Sequence, residues 1–199
     1  MDLDAVPAST AEKSTPISKK IHILRHGQAI HNVQRGYPLR DPPLTDQGIA
    51  EARAVSLAFQ PDLIICSPMV RTIQTALAAF PDLLPLHQSK TTLEIWPDLR
   101  EAHDAICNKG VARTQLAAAY PELDFSRCRE DWDYEAHSDE VAIQRAKRVR
   151  AVLAERPEQS ILLISHRGFI DYLVSGPRFS NCELRSYIFG PENTLVRAT

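Results

Sequence analysis

No uninterrupted apolar run in these 199 residues approaches the roughly 20 that a membrane-crossing helix needs, so no membrane span is expected. A surplus of charge is missing as well. With 23 Lys and Arg against 25 Asp and Glu, the net charge of −2 leaves no broad basic field for nucleic acid or anionic lipid, and any anion site must be built locally. The four cysteines, Cys66, Cys107, Cys128 and Cys182, are scattered without a C-x-x-C spacing. They form no disulfide framework and point to a reducing, cytoplasmic setting. Residues 1–18 are polar, small and proline-containing, lack the apolar core of a signal peptide, and read as a disordered leader. Repeats of fixed period and low-complexity tracts are absent.

What is present, from residue 19 to 199, suits one domain with a full core. Strands are expected in "IHILRH", "PDLIICSP", "LLPLHQSKTTLEI", "SILLISH", "RSYIFG" and "NTLVRA". Between them, "LTDQGIAEARAVSLAF" reads as a helix capped by Thr45 or Asp46, with a stripe through Ile49, Ala52, Val55 and Phe59. "MVRTIQTALAAF" follows Ser67-Pro68 as a second helix, and "VARTQLAAAY", "SDEVAIQRAKRVRAVLAERP" and "GFIDYLVSG" are three more. This alternation predicts an α/β fold, a three-layer α/β/α sandwich around a mostly parallel sheet. The exception is 96–137, where Trp96, Tyr120, Trp132 and Tyr134 lie among charged residues. So long an irregular stretch is expected to serve as a lid or substrate-recognition segment.

Two aliphatic strands end alike, on a histidine: "KKIHILRHGQAIHN" at 19–32 and "SILLISHRGFI" at 160–170. In an open parallel sheet, ligands sit beyond the carboxyl ends of the strands. If these two strands are neighbours, spaced about 4.8 Å, His26 and His166 face one small pocket. Arg25 adjoins His26, and Arg71, one turn past Ser67, can reach the same edge. Two guanidinium groups and two imidazoles around the space of one tetrahedral anion suit a phosphoryl group. The arginine forks hold its oxygens, and a neutral imidazole is a competent nucleophile near pH 7. A metal held by His22, His26 and His31 is the competing reading. Against it, His22 lies deep on the pleat and no H-E-x-x-H or H-x-x-E-H signature accompanies the three, so no metal is expected. Glu101, after "PDLR", is placed to protonate a departing alkoxide and then to activate water.

These stretches resemble the histidine phosphatase superfamily, the phosphoglycerate mutase-like group. "LRHGQAIHN" is similar to its R-H-G signature and "SPMVRTIQTA" to its S-P-x-x-R-x-x-x-T-A, and "LRE" at 99–101 and "SHRG" at 165–168 follow in the family's order. The resemblance implies a six-stranded mixed sheet between helix layers, with His26 as a transiently phosphorylated nucleophile. It further implies that Arg25, Arg71 and His166 hold the phosphate, that Glu101 is the proton donor, that Asn32 also contacts phosphate, and that no metal or nucleotide cofactor is required. Arg167 departs from the small residue often found after the second histidine. It would either project over the pocket mouth or pair with an acid, and pairing is the favoured expectation. His103 would orient the acid, meet a second anionic group, or be a solvated loop residue. His31, Arg35 and Lys109 would select a charged substrate or simply lie on the surface.

The expected activity is hydrolysis of a small phosphorylated metabolite. A mutase using the same phosphohistidine is the alternative, less favoured because family mutases usually carry an additional closing segment. A binding module without turnover is a third reading, opposed by the intact set Arg25, His26, Arg71, Glu101 and His166.

Overall fold

The computed structural model describes residues 19–83, 90–133 and 135–198. The expected leader, the 84–89 portion of the third strand-forming stretch, and Tyr134 lie outside the described residues. Six strands form in stretches rich in aliphatic residues: β1 (Lys20–Arg25), β2 (Leu63–Cys66), β3 (Thr92–Ile95), β4 (Ser160–Ser165), β5 (Leu184–Phe189) and β6 (Leu195–Arg197). They join in one sheet of order β3-β2-β4-β1-β5-β6. The first four are mutually parallel, β5 runs antiparallel to β1, and β6 runs antiparallel to β5. The sheet is therefore mixed and mostly parallel, as the alternation of elements predicts.

Side chains on a strand alternate between faces, and both faces are apolar here. Ile21, Ile23, Leu63, Ile65, Ile161 and Leu163 pack with α5 (Asp139–Glu155) and α6 (Arg167–Leu173). Leu24, Ile64, Cys66, Leu162 and Ile164 turn the other way, toward α3 (Val70–Ala79) and Leu116 of α4 (Arg113–Ala119). Each large aliphatic chain so buried stabilises the fold by about 1.5–3 kcal/mol. The two remaining helices are α1 (Ile30–Val33) and α2 (Asp46–Arg53), the latter packed on α3. In α5, Ser138 caps the start by accepting from Val141 N at 3.3 Å, and the helix stops before Pro157, whose ring disfavours helical backbone at Arg156.

One expectation needs correction. The helix opening at Thr45, which does cap it through Gly48 N at 3.0 Å, ends at Arg53 and does not reach Phe59. Phe59 instead stacks on the buried His22 of β1, ring centroids 3.6 Å apart, covering an imidazole that a continued helix would leave bare. The 96–137 segment holds the helix expected there as α4, together with two short 3-10 turns at Pro97–Leu99 and Ile106–Asn108. Its Trp96, Leu123, Phe125, Cys128 and Trp132 are buried in the cores, so much of it is packing rather than open loop. Among the described residues no helix is long and apolar enough to cross a membrane.

Candidate active site

β1 and β4 end level with one another. Arg25 pairs with Ser165, and the next amide, His26 N, donates to Ser165 O at 3.0 Å. His26 and His166 therefore emerge side by side, ring centroids 5.2 Å apart, and both are buried. On the other flank of β4, β2 runs out at Cys66, placing Ser67 Oγ 2.8 Å from His166 Nε2. α3 then begins and carries Arg71, fully buried, to the same edge. Arg71 donates to Cys107 O at 3.2 Å and Asn108 Oδ1 at 3.1 Å, and Asp41 lies 3.8 Å away. Arg25 donates to Phe179 O at 2.9 Å. The guanidinium groups are thus held by their far nitrogens, while the Nε of each is buried without a partner among the described residues.

This packing fixes the state of the histidines. Nδ1 of His26 lies 2.7 Å from Gly27 O, and because a carbonyl only accepts, Nδ1 carries the proton. Nε2 is left with its lone pair. Burial, then the charges of Arg71 and Arg25, hold His26 well below the usual imidazole range, so it is neutral at pH 7. Burial and Arg71 do the same to His166. Arg25 is pushed down to about 10 by burial and by its neighbours Arg167 and Arg71, with Glu101 opposing. Asp41 is pushed up to about 7 by burial, against the pull of Arg71.

Glu101 is buried, and its carboxylate accepts from its neighbour Ala102 N at 2.7 Å and from Gly168 N at 3.3 Å. It lies close enough to raise both Arg25 and Arg71 electrostatically. The segment bearing it is clamped by Arg145 of α5, a buried arginine that donates to Asp98 O at 3.0 Å, Arg100 O at 2.7 Å and Glu101 O at 3.3 Å. Gly168 makes the approach possible, since a Cβ there would lie 2.3 Å from Glu101 Oε1 and 2.7 Å from the His103 ring. One site can therefore offer a neutral imidazole lone pair, two guanidinium groups and a carboxyl group to a single anion.

The structure gathers Arg25, His26, Arg71, Glu101 and His166, the five residues expected at the centre. The exposed His103 reaches the site only through its ring beside Glu101 over Gly168. Asn32 is exposed; its Oδ1 accepts from Ala29 N at 2.9 Å, which ties the start of α1 to the loop after His26. Arg35 is exposed in the turn beyond α1. Lys109 pairs with Asp104 at 2.6 Å. Arg167 does not pair with an acid among the described residues, contrary to the favoured expectation. It starts α6, exposed, and its charge depresses Arg25 and His31. His31, weighed as a surface residue, has its ring 5.9 Å from that of His26. Sequence reasoning missed Asp41 and Arg145. Arg145 left a signal, an arginine among the buried positions Ala142, Ala146, Val149 and Leu153 of an amphipathic helix. Asp41 left none, because its contact with Arg71 joins residues 30 apart in sequence. No group of three or more His, Cys, Asp or Glu side chains among the described residues is placed to hold a metal ion.

A "Phosphoglycerate mutase-like protein" of Arabidopsis thaliana is 28% identical to this chain, over 89% of it and 86% of the relative. A Schizosaccharomyces pombe protein named "Probable phosphatase" is 28% identical over 77% of this chain and 76% of its own. Among solved structures, the alpha-ribazole phosphatase of Shigella flexneri superposes with a TM-score of 0.59 at 22% identity, covering 90% of this chain and 94% of that one, which speaks for the fold alone. The paired strand-end histidines with their arginines fall inside residues 21–183, where the sequence matches the family model described as "Histidine phosphatase superfamily (branch 1)", and the chain belongs to that superfamily.

Proposed function

We propose that the protein is a metal-independent phosphomonoesterase that works through a phosphohistidine at His26 on a small phosphorylated metabolite in the cytoplasm. Its chief support is the tautomer of His26: Nδ1 donates to Gly27 O, so the lone pair of Nε2 is free for phosphorus. In the first step the Nε2–P bond forms as the P–O bond to the leaving group breaks, and Glu101 delivers a proton to the departing oxygen. His26 becomes cationic, and Gly27 O steadies the charge by accepting from Nδ1–H. Arg25 and Arg71 neutralise charge on the transferring group. In the second step Glu101 takes a proton from water, whose oxygen bonds to phosphorus as the N–P bond breaks, and inorganic phosphate departs. The phosphatase name of the S. pombe relative agrees with hydrolysis.

The test is turnover of p-nitrophenyl phosphate in EDTA, with alkaline quenching. Activity should persist, vanadate should block it, and label stable in alkali but labile in acid should reside on the native protein and not on His26→Ala. Loss of activity in EDTA, restored by zinc or magnesium, would overturn the metal-independent reading. Label that survives in His26→Ala would move the nucleophile elsewhere. Isomerisation of 3-phosphoglycerate outpacing its hydrolysis would make the protein a mutase.

A further inference from the structure

Asn32 fixes the state of its neighbour. Its Oδ1 is identified as the carbonyl oxygen because Ala29 N–H donates to it at 2.9 Å, and Asn181 Nδ2 also approaches it at 3.4 Å. Nδ2 is therefore the amide nitrogen, and it lies 3.1 Å from Nε2 of His31. A donor facing Nε2 requires a lone pair there, so the neutral imidazole of His31 carries its proton on Nδ1. That Nδ1 is buried and has no partner among the described residues. Its ring stands 5.9 Å from the His26 ring, on the side of the pocket where Arg71, Arg25 and Arg167 converge electrostatically. Burial, followed by those three charges, pushes His31 down to about 3, so at pH 7 it is a neutral donor amid cations.

A buried N–H without an acceptor costs free energy, and the acceptors this pocket is shaped to receive are phosphoryl oxygens. We propose that His31 is a phosphoryl-contacting residue, its Nδ1–H donating to an oxygen of the phosphoryl group bound at His26. Asn32 is then the residue that orients the ring. Being neutral, this donor adds a hydrogen bond without a further positive charge to repel Arg25 and Arg71. The inference rests on the phosphatase reading only for the identity of the anion.

The experiment is histidine-selective 15N NMR of the native protein titrated with inorganic phosphate, beside phosphate affinity in His31→Asn and His31→Phe. Asparagine sets an amide N–H near the place of Nδ1, and phenylalanine keeps the ring without a donor. In the free protein His31 should be protonated on Nδ1 and bare on Nε2, and saturating phosphate should shift the Nδ1 resonance and slow exchange of its proton. His31→Phe should bind phosphate about 10-fold to 100-fold more weakly, with His31→Asn recovering much of the loss. A purely structural role would lower thermal stability and leave the Nδ1 resonance unmoved by phosphate. Affinity in His31→Phe within about twofold of native, or a resonance indifferent to phosphate, overturns the proposal, and the NMR arm decides should His31→Phe fail to fold. Phosphate binding with the Nδ1 shift but no turnover of any monoester leaves the His31 contact standing and removes the phosphatase reading. No phosphate binding by the native protein overturns both.

Discussion

In the proposed mechanism Glu101 acts, at the scale of a single residue, where bond breaking needs help, and that need differs between substrates. A p-nitrophenolate leaves unaided, whereas a sugar alkoxide leaves slowly unless protonated. Glu101→Gln keeps the shape, but its amide has a single oxygen that can accept from Ala102 N or from Gly168 N and not from both, and it has no acid proton to give. Its phosphorylation step should therefore slow on the order of 10²-fold or more for an alkyl phosphate and much less for an aryl phosphate. Because Glu101 also serves the water step, the quantity to measure is single-turnover labelling of His26, not the steady-state rate. Equal losses for the two substrates would remove Glu101 as the leaving-group acid and turn attention to His103 and Asp104. Arg145, which holds the Glu101 backbone without facing the anion, is a positioning residue in the same reaction.

Close packing between elements sets where the carboxylate sits. The start of α6 passes so near the 99–101 segment that Gly168→Ala would press its methyl on Glu101 Oε1 and the His103 ring, both ends of movable side chains. The backbone has no need to shift, and alanine favours the helix by up to about 1 kcal/mol over glycine. Gly168→Ala should thus keep or slightly raise the melting temperature while lowering kcat about 10-fold or more on alkyl phosphates. In a Glu101→Gln background it should add little, because both changes spoil one group. A loss undiminished in that background would show that Gly168 acts elsewhere. Gly27 and Gly48 meet the same demand in another place: a Cβ on Gly27 would fall 2.5 Å from Gly48 O, so α2 could not lie against the loop after His26. Elements of this kind were legible in the sequence wherever the determining contacts are local. The aliphatic runs of β2 and β4, the Thr45 cap and the strand-end histidines all announce themselves within a few residues. What stayed hidden depends on distant partners: the early end of α2 on His22, the burial of Asp41 on Arg71, and the setting of Arg167 on Arg25 and His31.

At the scale of the whole molecule, four imidazoles among the described residues, those of His22, His26, His31 and His166, are held neutral at pH 7. His22, with Nδ1 2.7 Å from Ser186 Oγ, is pushed down to about 4 by burial and by Lys20, and His31 down to about 3, while His26 and His166 lie well below the usual range. In the unfolded chain these groups take up protons near pH 6.5. Stability from their neutral state is complete above that value and declines as pH falls, until about pH 4 for His22 and about pH 3 for His31. Each unmatched proton costs up to about 1.4 kcal/mol per pH unit. Asp41, pushed up to about 7, works in the opposite sense, favouring the fold as pH drops, but one carboxyl stands against four imidazoles. Calorimetry should show the melting temperature falling steeply between pH 6.5 and 4. His22→Gln should start lower at pH 7 and fall less steeply, and parallel curves for the two proteins would refute a role for His22 in acid sensitivity. The strand order carries a consequence for synthesis. β1 sits between β4 and β5, both from residue 160 onward, so it finds neither neighbour until most of the chain has left the ribosome, whereas β2 has its parallel neighbour β3 early. Until then Ile21 and Ile23 have no strand to pair with, and the nascent chain must be shielded from self-association at that stage.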